Sequence, residues 1–305
     1  METRTTAAWT TARRRVDGVE LHVVEAGPED GPLVVLLHGF PDFWWSWRRQ
    51  IGPLAERGYR VVVPDQRGYD LSDKPAGVAA YPLDKLVADA VGLADAYGRD
   101  AFRLVGHNWG GIVAWAVAIR HPERVERLVV MDAPHPDVWA RQALRHPTQL
   151  LRSLYVAFFQ LPRLPEALLR GQNFAALRRA LTATSRPGAF APADLDRYVA
   201  AWSQPGALTA MLNYYRALRR KPTIGATPAR IRPPTLIVWG GRNAFLERHL
   251  FQASLDLCDR GDGLFLDDAS HWVHLDEPDT VTAALLRFFD EPEAGGPGGE
   301  RAAEG

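Results

Sequence analysis

Residues 104–111 read LVGHNWGG, and this stretch decides the fold. A short apolar segment runs into the pattern Gly106-x-Asn108-x-Gly110-Gly111, and small apolar residues follow it. Glycines at this spacing are typical of a tight turn between a strand and a helix, in which the central side chain is lifted out of the sheet. Ordinary helix packing of small residues is the alternative, and the rest of the chain favours the strand–turn–helix interpretation.

Short apolar runs that end in turn residues recur on both sides of this stretch. Longer helical patterns separate them, and this alternation predicts a parallel sheet with crossover helices. Continuous apolar runs also indicate strands that are buried on both faces. The runs cover residues 33–37, 60–63, 102–105, 125–131, 235–239 and 263–266. Ahead of them, Asp17-Gly18 lies between residues 13–16 and 20–25, which predicts an antiparallel hairpin.

The alternation is interrupted in the middle of the chain, where the pattern becomes helical and no good strand is visible. The predicted helices there cover residues 150–159, 165–181, 193–202 and 206–219. We therefore predict an α/β core of residues 13–135 and 229–290, with residues 136–228 inserted as a helical cap. The end segments, residues 1–12 and 291–305, are predicted to be disordered.

The composition limits the classes of function. The chain has 305 residues, of which 47% are hydrophobic, enough for a large buried core. Its formal net charge of zero gives no reason to expect nucleic acid or an acidic membrane surface as a partner. The single cysteine, Cys258, excludes an internal disulfide and a cysteine-rich metal site. No targeting segment or membrane span is visible, so we expect a cytoplasmic protein.

Two further segments predict the surroundings of Asn108. His38-Gly39-Phe40-Pro41 follows the run at residues 33–37. In this arrangement the backbone N–H groups of Phe40 and Trp109 are expected to converge as an oxyanion hole, a pair of donors that stabilises developing negative charge. An ordinary turn is the alternative for the first segment.

His271 is the candidate general base. It follows the run at residues 263–266 and precedes Trp272, in the sequence DDASHW. A histidine on the loop after the last strand is where this chain order places a base. His274, three residues further on, is the alternative assignment.

The ordered motifs resemble the epoxide hydrolase branch of the α/β-hydrolase superfamily. They are HGFPDFWWSWRRQI, PDQRGYDLSDKP, VGHNWGG, PERVERLVV, FFQLPRLPE, SQPGALTAMLNYYR, LIVWG and SHW, and they extend from about Val16 to Phe289. The resemblance implies an α/β-hydrolase fold, with a mostly parallel sheet, flanking helices and an inserted helical cap. It also implies hydrolysis of an epoxide, a small apolar molecule, to a vicinal diol. No metal or organic cofactor is implied, because no ligand cluster or phosphate-binding loop is visible.

The resemblance assigns roles to particular positions. A carboxylate at position 108 would attack an epoxide carbon and form an alkyl ester. Tyr155 and Tyr215 match the two cap tyrosines that protonate the leaving oxygen, although core packing is the alternative for each. His271 would then activate the water that hydrolyses the ester. The expected apolar pocket includes Phe40, Trp109, Phe158, Phe159 and Trp272.

Two positions depart from the family pattern. Asn108 stands where the nucleophilic Asp is expected, and Asn243 stands where the acid that orients the histidine is expected. Asp132, at the end of the run 125–131, occupies the position at which the related haloalkane dehalogenases often place that acid. We hypothesise that Asp132 orients His271. The alternative is that Asp132 binds loop amides at the end of its strand.

Four interpretations of Asn108 follow from the sequence. In the first, Asn108 deamidates to Asp, and in the second, it is an engineered substitution. In the third, Asn108 positions water for direct hydrolysis, ring opening or cyclisation. In the fourth, the chain is a non-catalytic ligand-binding protein. A haloalkane or haloacid dehalogenase is the nearest enzymatic alternative to an epoxide hydrolase, and it needs the same carboxylate. The sequence makes no prediction of the oligomeric state.

Overall fold

Eight strands form one sheet in the computed structural model, which describes residues 9–142, 145–218 and 228–292. The strands are β1 Thr10–Val16, β2 Val19–Ala26, β3 Leu33–Leu37, β4 Arg60–Pro64, β5 Phe102–His107, β6 Val125–Met131, β7 Thr235–Gly240 and β8 Gly261–Leu266. Their order across the sheet is β1-β2-β4-β3-β5-β6-β7-β8. The pairs β1–β2 and β2–β4 are antiparallel, and the others are parallel. The predicted mostly parallel sheet and its hairpin are confirmed.

The prediction that residues 1–12 are disordered is wrong for the last residues of this segment, which belong to a strand. Strand β1 begins at Thr10, which pairs with Glu25, and the ring of Trp9 packs edge-on against that of Trp44. Backbone pairing at the sheet edge orders this polar segment, although it has no apolar pattern of its own. The remainder of the predicted tails, residues 1–8 and 293–305, lies outside the described residues.

Helices flank the sheet and fill the insertion between β6 and β7. They are α1 Ile51–Glu56, α2 Leu83–Ala96, α3 Trp109–Arg120, α4 Pro136–Gln142, α5 Pro147–Arg152, α6 Leu154–Phe158, α7 Leu164–Ala183, α8 Pro192–Ser203, α9 Ala207–Ala217, α10 His249–Leu255, α11 Val273–Asp276 and α12 Pro278–Asp290. Short 3-10 helices cover Trp44–Trp47, Val78–Ala80 and Pro122–Arg124. Helices α4 to α9 occupy the predicted cap, where the described residues include no strand. Within the described ranges, no helix has the length and hydropathy needed to cross a membrane.

Two predicted cap helices are interrupted. The helix predicted at residues 150–159 is divided at Ser153 into α5 and α6. Helix α7 has an extended glycine at Gly171, and the three residues after it have positive φ angles. Interruptions of this kind follow from local packing and turn geometry, which an apolar repeat alone does not encode.

The strands are buried on both faces, as their apolar runs predict. In β3 all five residues are buried; Val34 and Leu36 pack into one apolar layer, and Val35 and Leu37 pack into the other. This alternation follows from the two-residue repeat of a strand. The carboxyl ends of β3, β5, β6 and β7 meet at one edge of the sheet, where open α/β folds place their sites.

Candidate active site

Asn108 lies at the turn between β5 and α3 in a strained backbone conformation. Its φ is 52° and its ψ is −117°. The neighbouring glycines are required because a Cβ on Gly106 would lie 2.2 Å from the carbonyl oxygen of Gly110, and a Cβ on Gly110 would lie 2.1 Å from that of Leu37. The tight turn lifts the Asn108 side chain above the end of the sheet, as the glycine spacing predicts.

The amide oxygen of Asn108 accepts two backbone hydrogen bonds. Phe40 N–H donates to Oδ1 at 3.1 Å, and Trp109 N–H donates to the same atom at 2.7 Å. Gly39 leaves room for this contact, because a Cβ there would lie 2.5 Å from the Asn108 Cβ. The two backbone donors that the sequence predicts therefore meet at one oxygen, and they polarise the Asn108 side-chain carbonyl.

His271 lies beside the nitrogen of the same amide. Its Nε2 is 2.8 Å from Asn108 Nδ2, and its side chain is buried on the loop between β8 and α11. Burial holds the pKa of His271 well below its usual value, and the nearby His107 adds to this effect. The imidazole is therefore neutral near neutral pH, which is the state that a general base requires.

His274, the alternative base, lies elsewhere. Its ring packs 4.6 Å from the ring of Trp47, and neither of its ring nitrogens has a hydrogen-bond partner among the described residues. The structure brings His271, and not His274, to Asn108.

Asn243 contacts the other ring nitrogen of His271. Its Nδ2 lies 3.0 Å from His271 Nδ1 and donates to Asp132 Oδ1 at 2.8 Å. The Asn243 Oδ1 accepts hydrogen bonds from the backbone N–H groups of Phe245 at 2.9 Å and Leu246 at 3.0 Å. These contacts fix the orientation of the amide, since oxygen and nitrogen each meet the complementary group.

Asp132 does not bind His271 directly, contrary to the simplest form of the hypothesis. Its Oδ1 accepts from Asn243 and from the backbone N–H of Gly240 at 3.0 Å, and its Oδ2 has no partner among the described residues. The amide of Asn243 occupies the intervening position. Burial raises the pKa of Asp132 well above its usual value.

Tyr155 and Tyr215 face each other across the cap. They lie on α6 and α9, with ring centroids 5.9 Å apart, and the ring of Trp109 packs 5.1 Å from that of Tyr215. Burial raises the pKa of Tyr155 to about 12, although a hydrogen bond with Tyr215 opposes the increase. Burial also raises the pKa of Tyr215 well above its usual value. Both hydroxyls are therefore protonated near neutral pH and can donate a proton or a hydrogen bond.

A cavity of about 190 Å³ joins these groups. Asn108, Trp109, Asp132, Tyr155, Tyr215 and His271 line it, together with mostly apolar side chains that include Ile112, Trp139, Val156, Leu218, Phe245 and Leu246. Such a cavity suits a small, largely apolar molecule that carries one polar reacting group.

Four aromatic residues that were predicted to line the pocket do not line the cavity. They are Phe40, Phe158, Phe159 and Trp272. Phe159 packs behind the cavity, with its ring 5.4 Å from that of Phe40 and 5.0 Å from that of Tyr215. Phe158 packs against Phe159, and Trp272 is buried with its indole N–H donating to Thr184. These side chains support the lining residues, because neighbouring rings take the positions at the cavity wall.

Several residues that line the cavity were not predicted from the sequence. Phe245 packs with its ring 5.0 Å from that of His271, and Trp139 lies on α4. In the sequence, only the positions of these two residues indicate that they could lie near the site. Phe245 follows Asn243 by two residues, and Trp139 lies just beyond the end of β6. Which side chains of the cap reach the cavity depends on how the cap packs on the core.

A second polar cluster lies behind His271. Asp42, His107 and His274 are buried, and each offers a ligand-type atom within 4.8 Å of the other two. His107 also links this cluster to the site, because its Nε2 is 2.7 Å from the carbonyl oxygen of His271. Carboxylate and imidazole groups can ligate metals, and here the contact of His107 with the His271 carbonyl supports the loop that carries the base.

Comparison with known proteins identifies the family. Residues 32–278 match the alpha/beta hydrolase fold family. The chain is 46% identical over 273 residues to the AB hydrolase superfamily protein YfhM of Bacillus subtilis (strain 168), covering 90% of this chain and 95% of that protein. It is 39% identical over 288 residues to epoxide hydrolase 4 of Mus musculus, covering 92% and 79% of the two chains.

Comparison with solved structures identifies the same family. The crystal structure of Bacillus megaterium epoxide hydrolase in complex with an inhibitor superimposes with a TM-score of 0.85 at 29% identity, covering 92% of this chain and 100% of that one. The chain therefore belongs to the α/β-hydrolase fold family, and within it to the proteins that are similar to epoxide hydrolases.

Proposed function

We propose that the protein opens an epoxide to a vicinal diol. The observation that carries this proposal is the placement of two protonated tyrosine hydroxyls, on Tyr155 and Tyr215, in the same apolar cavity as residue 108 and His271. An epoxide oxygen becomes an alkoxide when its ring opens, and it needs a proton donor at that moment. A halide leaving group needs no proton, so the tyrosine pair favours the epoxide over a haloalkane.

The first step joins substrate to protein. In a chain that carries a carboxylate at position 108, one of its oxygens attacks one epoxide carbon, the bond from that carbon to the epoxide oxygen breaks, and a tyrosine hydroxyl gives its proton to the departing oxygen. The product is a hydroxyalkyl ester of residue 108. The apolar wall around Ile112 and Phe245 holds the substituents of the epoxide.

The second step releases the diol. His271 takes a proton from a water molecule, whose oxygen attacks the Cγ of residue 108. The N–H groups of Phe40 and Trp109 stabilise the negative charge that develops on the carbonyl oxygen. The ester C–O bond then breaks, and His271 passes its proton to the departing diol oxygen. The carboxylic acid formed at residue 108 gives its proton to the tyrosinate left by the first step, which restores the carboxylate and the tyrosine hydroxyl.

The amide of Asn108 sets the condition for this reaction. A neutral amide oxygen is a poor nucleophile, and here it is already held by two N–H donors, so the first step requires a carboxylate at this position. The same observation favours a second candidate function, the binding of an epoxide or diol without turnover. Turnover and binding are therefore measured on the same protein samples.

The test measures diol formation from a panel of aryl and alkyl epoxides. Freshly purified protein is compared with Asn108→Asp, and Asn213→Asp serves as a matched control because Asn213 is buried on α9 and does not line the cavity. We expect Asn108→Asp to form diol, and Asn213→Asp to behave like the unaltered chain. Failure of every variant to form diol, together with stoichiometric binding of epoxide or diol, would replace the proposal by the binding function.

A further inference from the structure

Both ring nitrogens of His271 face amide nitrogens. Nε2 lies 2.8 Å from Asn108 Nδ2, and Nδ1 lies 3.0 Å from Asn243 Nδ2. A neutral imidazole has one donor and one acceptor nitrogen, whereas an amide nitrogen only donates. Whichever tautomer His271 adopts, one of the two contacts therefore brings two donors together.

Rotation of either amide does not remove the conflict. The oxygen of Asn108 accepts from Phe40 and Trp109 N–H, and the oxygen of Asn243 accepts from two backbone N–H groups of its own loop. Turning either side chain by half a rotation would point its NH₂ group at two N–H donors. The pair of amides around His271 thus leaves one N–H donor without an acceptor, which disfavours the amide at this position.

A carboxylate at position 108 satisfies every contact. The His271 Nε2–H would donate to the carboxylate, His271 Nδ1 would accept from Asn243, and the second carboxylate oxygen would keep the two backbone donors. We propose that Asn108 is a self-processing site, at which the protein hydrolyses its own side-chain amide to aspartate with His271 as the base.

The groups that this hydrolysis needs are already in contact with the amide. Two N–H donors polarise the carbonyl, and in the tautomer with the lone pair on His271 Nε2 the Asn108 N–H donates to the base. Burial holds the pKa of His271 well below its usual value, so the ring is neutral and able to accept a proton. Asn108 lines the cavity, which gives water a route to its Cγ.

The step balances without a further reactant. The water oxygen bonds to the Asn108 Cγ while its proton passes to His271 Nε2, and the charge develops on the oxygen held by Phe40 and Trp109. The C–N bond then breaks, and His271 Nε2, which is 2.8 Å from the departing nitrogen, returns the proton to it. Ammonia leaves, and the chain keeps an aspartate at position 108.

Asn243 provides an internal comparison. It has the same two features, an oxygen held by two backbone N–H groups and a nitrogen at a His271 ring nitrogen. However, it does not line the cavity, and its nitrogen is also held by Asp132. Water reaches one amide and not the other, so we expect only Asn108 to be hydrolysed.

The test follows the amide directly by mass spectrometry. The full-length protein is purified rapidly and incubated in H₂¹⁸O, and its tryptic peptides are mapped over time. Asn108 and Asn243 fall on separate peptides, residues 104–120 and 243–248. We expect peptide 104–120 to convert from amide to acid with uptake of a single ¹⁸O atom, and peptide 243–248 to remain an amide.

Two variants define the role of the base. His271→Gln keeps a polar side chain of similar length but cannot take a proton, and it should abolish the conversion. His121→Gln makes the same change at the opposite end of α3 from Asn108, and it should leave the conversion rate within a factor of about two, as expected for a site without shared contacts.

Several results would overturn the inference. These are an Asn108 amide that persists through prolonged incubation, equal conversion in His271→Gln, or conversion of Asn243 at a similar rate. Formation of isoaspartate would show attack by the Trp109 backbone nitrogen instead of water. None of these results depends on the proposed function, because no substrate takes part in the experiment. Epoxide opening is tested separately with an encoded Asn108→Asp chain, whether or not the amide of Asn108 converts by itself.

Discussion

Asp132 and His271 share one hydrogen-bond partner, the amide nitrogen of Asn243, which lies 2.8 Å from Asp132 Oδ1 and 3.0 Å from His271 Nδ1. When residue 108 is an ester it no longer donates to Nε2, so the remaining amide donor, Asn243 at Nδ1, places the imidazole proton on Nε2. That nitrogen must be free to take a proton from water when an ester is hydrolysed. The Asp132–Asn243 pair therefore acts on the second step of the proposed reaction and not on the first.

We expect an exchange of this pair to accelerate release of the diol. In an Asn108→Asp chain, the alkyl ester should accumulate after exposure to an epoxide. Adding Asp132→Asn together with Asn243→Asp should speed ester hydrolysis by about 10²–10⁴, because an Asp-to-Asn change beside the histidine in a serine protease costs about 10⁴. Rapid quenching and intact mass measurement would follow the ester, and no accumulation before the exchange would contradict the tautomer argument.

The single change Asn243→Asp is the control for that experiment. It places a second carboxylate where Asn243 Nδ2 now donates to Asp132 at 2.8 Å. Two buried carboxyl groups at this distance cannot both ionise readily, so the pKa of the pair rises. Thermal unfolding should show a larger loss of stability at high pH than at low pH for the single variant, and much less loss for the double variant.

The cap tyrosines should affect ring opening and not ester hydrolysis. In the Asn108→Asp background, Tyr155→Phe or Tyr215→Phe should lower the rate of ester formation by about 10²–10⁴ by removing a proton donor. Tyr214→Phe is the matched control, because its hydroxyl donates to the carbonyl of Arg67 and does not line the cavity. Equal losses in all three variants, in a single-turnover assay, would indicate packing instead of proton donation.

Gly39 should be required for activity more than for folding. A Cβ there would lie 2.8 Å from Asn108 Oδ1, so Gly39→Ala displaces the side chain from its two backbone donors. We expect a loss of about 10²–10³ in turnover of the Asn108→Asp chain, the usual cost of losing an oxyanion donor. Gly52→Ala, where a Cβ meets nothing within 4 Å, is the control. An unchanged rate in Gly39→Ala would exclude this role for the oxyanion hole.

Buried neutral histidines should make the protein sensitive to acid. Burial holds the pKa of His274 well below its usual value, and His107 contributes further. Below about pH 6.5 the unfolded chain binds a proton that folded His274 does not, so this contribution to stability is present above that pH and is lost as the pH falls. His274→Gln removes it.

The measurement is urea unfolding of both chains across this pH range. Relative to the unaltered chain, the free energy of unfolding of His274→Gln should rise by about 1.4 kcal/mol for each pH unit below 6.5 and be constant above about pH 7. A difference that does not vary with pH would show that folded His274 binds its proton as readily as the unfolded chain does.

The core of the site was predictable because sequence order determines it. The apolar runs place Asn108, the Phe40 segment and the His271 loop at the carboxyl edge of one sheet, and parallel strands leave no other arrangement. The contact between Asn243 and His271 was not predictable, because it depends on the path of the loop after β7. The positions of Phe159 and Trp272 behind the cavity likewise depend on how the rings of cap and core pack.

The two backbone donors at Asn108 also restrict what the protein can accept from outside. Phe40 and Trp109 N–H are already bound to an oxygen of the chain itself. The carbonyl of a free carboxylic ester or amide would have to displace that oxygen, and Asn108 at the turn between β5 and α3 has no hydroxyl or thiol to attack it. We therefore expect the protein to leave ordinary esters unhydrolysed even where they fit the cavity, because only an acyl group attached to residue 108 itself reaches these donors.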